Sequence, residues 1–124
     1  MALRIALAQI NTTVGDLSGN RDKIIENLEK AREAGAQLVA FPEMAVTGYP
    51  PEDLLLKPDF VESAQRMLTE LAPATKGLVA VIGCLWVEND LRHNHRTLSR
   101  PELHLGLLDQ LNDIIKCVSV QRIF

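Results

Sequence analysis

The chain has 124 residues, enough for one domain with its own core, and 47% hydrophobic against 23% charged residues is the balance of a globular protein. A net charge of −3 excludes a surface built to hold nucleic acid or an anionic membrane. Two cysteines exclude a disulfide framework or a thiolate metal set, and no apolar run approaches the roughly 18 residues of a membrane span.

Residues 3–9 read as a first strand. Leu3, Ile5 and Leu7 alternate with Ala6 and Ala8, which predicts a strand covered on both faces. No charged-then-apolar leader precedes it, and the chain reads as cytoplasmic. After a turn cluster at 12–16, a helix starts with Asp16 or Ser18 as its cap. Ile24, Leu28 and Ala31 form its apolar stripe, widened by Ile25. Glu26 and Lys30 stand in the favourable order one turn apart, and Gly35 supplies a left-handed stop. Residues 37–41 form a second strand, close enough behind the helix to make a parallel crossover unit. Asp59 is the expected cap of a second helix with the stripe Phe60, Ala64, Met67 or Leu68, and Leu71, which Pro73 stops. Residues 78–87 read as a third buried strand. The order βαβαβ makes the chain α/β.

The pattern changes after Leu91. Residues 92–100 are polar and basic, without periodicity, and acidic residues no longer outnumber basic ones. No further strand is expected here. A helical stripe of Leu108, Leu111, Ile115 and Val118 follows Pro101. The predicted organisation is therefore a unit over 1–91 and a divergent tail over 92–124, helical from about residue 101.

Glu43 is the leading chemical candidate. It follows an apolar strand and Pro42, and carboxylates at the carboxyl ends of buried strands are where α/β proteins place catalytic groups. The bland alternative is a solvated Glu at a strand end. Glu52 and Asp53 follow Pro50-Pro51 and most simply cap a short helical turn. His93 and His95 share one side of an extended segment, but His104 and Cys117 do not complete a metal set with them. Cys84 reads as a small buried side chain. Lys116 beside Cys117 does not make a reactive thiol, since adjacent side chains diverge. Gly15, Gly19 and Gly35 do not form a phosphate-binding fingerprint.

Residues 3–91 resemble the start of the nitrilase-like glutaminase domain of glutamine-dependent NAD synthetases. The resemblance rests on residues 5–11, Val14-Gly15-Asp16, Gly19-Asn20, Phe41-Pro42-Glu43 and residues 47–56. Phe-Pro-Glu marks the wider carbon–nitrogen hydrolase superfamily, and Gly48-Tyr49-Pro50-Pro51-Glu52-Asp53-Leu54-Leu55 points to the synthetase branch. The resemblance implies the opening, truncated part of a four-layer α-β-β-α sandwich and an amide-hydrolysing Glu-Lys-Cys triad. It places the Glu of that triad at Glu43 and a residue lining the glutamine pocket at Tyr49. The family's His-Lys and Cys-Glu-Asp segments have no counterpart, and their roles do not pass to Lys116 or Cys117. The implied chain supplies Glu43 alone and is inactive in isolation. It needs no cofactor, because ATP and Mg serve the family's synthetase domain. Glutamine is the implied substrate, and a homo-oligomer is the family's habit. Two alternatives stay open: a short amidase completed by the tail or in trans, and a non-catalytic fragment that binds family members.

Overall fold

The computed structural model describes residues 2–85, together with the backbone of 88–90, 95–97 and 115–118. The elements β1 (Ile5–Leu7), α1 (Leu17–Glu33), β2 (Leu38–Ala40), α2 (Pro58–Leu71) and β3 (Val79–Gly83) follow the expected βαβαβ order. Both strand pairs are parallel, with Ile5 opposite Leu38 and Leu38 opposite Val79. Beyond β3, β4 (Glu88–Asp90) and β5 (His95–Thr97) form an antiparallel pair. β6 (Ile115–Val118) returns to the main sheet beside β3, giving the order β1-β2-β3-β6.

The tail therefore differs from the sequence expectation. Ile115 and Val118 were expected on a helical stripe, yet they lie in a parallel strand with Ile115 opposite Ala80. Short apolar runs fit either period, and here the open hydrogen-bonding edge of β3 decides. The remaining stripe positions, Leu108 and Leu111, lie outside the described residues.

Asp16 is the cap of α1, and its carboxylate accepts from the Gly19 amide at 3.0 Å. Gly35 ends the helix with a φ of 71°. Ile24, Leu28 and Ala31 are buried as the spacing predicts, whereas Ile25 points outward beside Pro73 and Ala74. The Lys30 ammonium lies 2.6 Å from Glu26 and holds that carboxyl below the usual carboxylate range. Both groups are exposed, so the pair does little for stability. α2 begins two residues earlier than expected, with Pro58 in its first turn and Lys57 rather than Asp59 at the cap position. Its buried stripe runs through Val61, Ala64, Met67, Leu68 and Leu71. Phe60 lies only at its margin.

One core holds these stripes together. Ile24 and Leu28 of α1, Leu68 and Leu71 of α2, and Val39, Ala80 and Ile82 of the sheet share a single buried cluster. Arg21 of α1 pairs with Glu70 of α2 at 3.0 Å, and Arg32 donates to the carbonyls of Ala74 and Lys76 just before β3. Both helices thus cover the same face of the sheet. The opposite face of β1 is open, with Ile5 52% and Leu7 74% exposed. The alternation predicted cover on both sides, but among the described residues the helices supply it on one side only. No helix among the described residues is long and apolar enough to cross a membrane.

Candidate active site

β2 ends at Ala40, and the chain then breaks into the loop 41–51 that carries both Glu43 and Tyr49. Phe41 keeps one more sheet bond, its amide donating to Val81 O at 2.8 Å. Pro42 cannot donate, so the ladder stops there. Met44 then turns the chain at a φ of 54°, with its own side chain buried. The result is a carboxylate held outward at the end of the sheet, since Glu43 is exposed between buried Phe41 and Met44. Tyr49 is 67% exposed further along the same loop.

The loop is anchored on two sides. On one side it lies against the end of β3. Val46 N donates to Gly83 O at 3.4 Å, and the backbone at 42–44 passes directly over Gly83. On the other side it meets the turn that precedes α1. Gly15 N donates to Thr47 O at 2.9 Å. Gly48 sits at a φ of 79°, and a Cβ there would fall 2.6 Å from Val14 Cα. The Gly48→Ala substitution is therefore expected to fail twice, through the left-handed backbone and through the contact with Val14. A loss of roughly 2 kcal/mol or more in urea unfolding is the expected result; an unchanged midpoint would contradict it.

Behind the loop lies Asn20, a fully buried polar residue in the first turns of α1. Its Oδ1 accepts from Thr13 N at 2.8 Å, and its Nδ2 donates to Thr13 O at 2.8 Å and Val46 O at 3.0 Å. Asn20, Gly48 and Gly83 were not singled out by sequence as parts of the site. A signal did exist for Asn20: asparagine is a poor helix former away from a cap, so its place in an amphipathic helix points to a partner elsewhere.

The other candidates fall as follows. The short helical turn expected after Pro-Pro is present as a 3-10 turn, Glu52–Leu56, but Glu52 and Asp53 lie in its first turn and do not cap it: Pro51 holds the cap position, with no side-chain cap bond. Cys84 is buried as expected, but its sulfur is in a disulfide and is no free thiol. None of the described residues is a free cysteine. No group of three or more His, Cys, Asp or Glu side chains among them can hold a metal ion. His93 and His104 lie outside the described residues, as do the side chains of His95, Lys116 and Cys117.

The chain that carries this loop has clear relatives among known proteins. The glutamine-dependent NAD(+) synthetase of Xanthomonas campestris pv. campestris (strain 8004) is 51% identical over 82 residues, 65% of this chain and 15% of that protein. The glutamine-dependent NAD(+) synthetase of Aquifex aeolicus is 36% identical over 107 residues, 85% of this chain and 18% of that protein. The chain thus spans less than a fifth of the length of these relatives. The solved structure of glutamine-dependent NAD+ synthetase from Acinetobacter baumannii superposes with a TM-score of 0.66 at 28% identity, over 92% of this chain and 24% of that one. The architecture is accordingly a partial α/β fold of the nitrilase type. The carbon-nitrogen hydrolase family model matches residues 4–105, past residue 91, where the sequence resemblance was expected to end. With that match spanning most of its length, the chain belongs to the carbon-nitrogen hydrolase family.

Proposed function

We propose that this chain is the opening part of a glutamine amide-hydrolysing domain that supplies ammonia for NAD synthesis. Glu43 is its general base and Tyr49 lines the glutamine pocket. The observation that carries the reading is the placement of Glu43. A carboxylate at the end of β2, held outward by a loop anchored on β3, can reach a substrate without losing its orientation.

In the proposed chemistry, Glu43 accepts the proton of a cysteine thiol and the thiolate attacks the amide carbon. Donors around the carbonyl oxygen stabilise the charge that develops there. The proton then goes to the leaving nitrogen, ammonia departs, and water hydrolyses the resulting thioester to the free acid. Only the base of this set is assigned within the described residues. The sequence has no counterpart of the family's His-Lys and Cys-Glu-Asp segments, so in this reading the isolated chain is inactive, and no cofactor is assigned to it.

The test is ammonia release from glutamine by the purified chain and by its Glu43→Gln and Cys117→Ala variants, with and without a reducing agent. Loss of a nucleophile in a catalytic triad costs roughly 10⁴-fold or more, so all three should give the same background rate. Turnover by the wild type that either variant abolishes would show a complete site and favour a short amidase instead.

A further inference from the structure

We propose that Asn20 is the positioning residue of this site, a clamp that fixes the segment 44–49 and with it the spacing of Glu43 and Tyr49. The inference deepens the function proposed above and rests on it, since a clamp matters to catalysis only if the loop presents Glu43 and Tyr49 to a substrate.

Three observations converge on this side chain. First, Asn20 is 0% exposed although it lies near the start of a helix whose other polar residues face outward or lie at its margins. Asparagine favours caps and turns over helix interiors, so burying it here costs helix propensity and requires compensation. Second, its amide is fully engaged across two different segments. One oxygen accepts from Thr13 N, and the two N–H groups donate to Thr13 O and to Val46 O. Third, the other hydrogen bonds that tie the segment to its surroundings are main-chain ones, among them Val46 N to Gly83 O against β3. Thr47 O accepts from Gly15 N on the same side, and Gly48 N bonds back to Met44 O within the turn. A segment with one left-handed residue at Met44 and another at Gly48 is held open by its surroundings and not by its own propensity. Asn20 is the side chain that joins those surroundings to it.

The chemistry of the amide makes the clamp specific. Aspartate has the same shape and can still accept from Thr13 N–H. It cannot donate, and when ionised it turns a negative oxygen toward the carbonyls of Thr13 and Val46. Alanine removes all three bonds and takes the Asn20 donor from the buried Val46 carbonyl, while Thr13 is exposed to solvent.

The test compares the full 124-residue chain with its Asn20→Ala and Asn20→Asp variants by amide hydrogen exchange. Asn20→Ala should speed exchange at Thr13 and Gly15, and at Gly48 on the held segment, by about tenfold or more. The β-sheet amides of Ala80 and Ile82 should change far less. Asn20→Asp should free Gly15 and Gly48 while leaving Thr13 protected, a split that a merely space-filling residue would not give. The chain has a single tyrosine, so 3-fluorotyrosine reports Tyr49 alone. Its one fluorine resonance should broaden or divide in both variants. Uniform acceleration across sheet and loop, or unchanged exchange at Gly15 and Gly48, would overturn the clamp. Whether glutamine shifts the wild-type fluorine signal bears on the proposed function alone, so the two readings can fail separately.

Discussion

Gly83→Ala is expected to displace the backbone that carries Glu43. A Cβ at position 83 would lie 2.5 Å from Pro42 O, 2.6 Å from Met44 N and 2.8 Å from Glu43 Cα. All three are main-chain atoms, so no side chain can swing aside to make room. Either the loop lifts from β3 or the end of β3 retreats from the loop. The first movement breaks the bond from Val46 N to Gly83 O, and the second disturbs the pairing of Gly83 with Val118. Overpacking of this kind costs about 1–3 kcal/mol and occasionally more. Gly77→Ala is the useful contrast. Gly77 has a φ of 79°, but nothing lies within 4 Å of its added Cβ. It should lose only the roughly 1–2 kcal/mol of a left-handed backbone and leave the loop untouched. Urea unfolding and amide exchange at Val46 distinguish the two. A Gly83→Ala chain with wild-type stability and wild-type protection at Val46 would refute the close approach.

The largest loss of stability should come from Leu28→Ala. Leu28 is 0% exposed and lies in the cluster shared by α1, α2 and the sheet. Truncating a leucine in such a place costs about 2–5 kcal/mol, because the lost burial is joined by a cavity that its neighbours only partly fill. Domains are stable by only about 5–15 kcal/mol, so this change alone should bring the chain close to unfolding. Ile25→Ala, three positions before it on the same helix, is at a site 37% exposed and should cost well under half as much. Parallel denaturation curves that show equal losses would mean that the α1 stripe is misassigned.

The parts of the fold written in short-range pattern were legible. The α1 stripe apart from Ile25, the Asp16 cap, the Gly35 stop and the Pro-Pro turn all depend on neighbours within a few residues, and each is where the pattern put it. The open face of β1 was not legible, because alternation of Ala with large residues cannot say which side another layer covers. Nor was β6, whose strand state depends on the free edge of β3 far back in the chain. The candidate site divides in the same way. Glu43 and Tyr49 stand out by motif, while Asn20 and Gly83 act through contacts with distant backbone, for which Asn20 leaves only the hint of an asparagine inside a helix and Gly83 none.

The four-stranded sheet also has a kinetic consequence. Every pairing in it is parallel, so none can be seeded by a tight turn. Arg4 and Gln37, whose bond stands at the start of the β1–β2 pair, are 33 positions apart in the chain. Such closures lose chain entropy before any contact repays it, and sequence-distant pairings slow folding far more than they weaken the folded state. α1 occupies most of the span between those two strands and forms locally, which shortens the search. The helix is thus a spacer that sets how quickly the sheet can assemble.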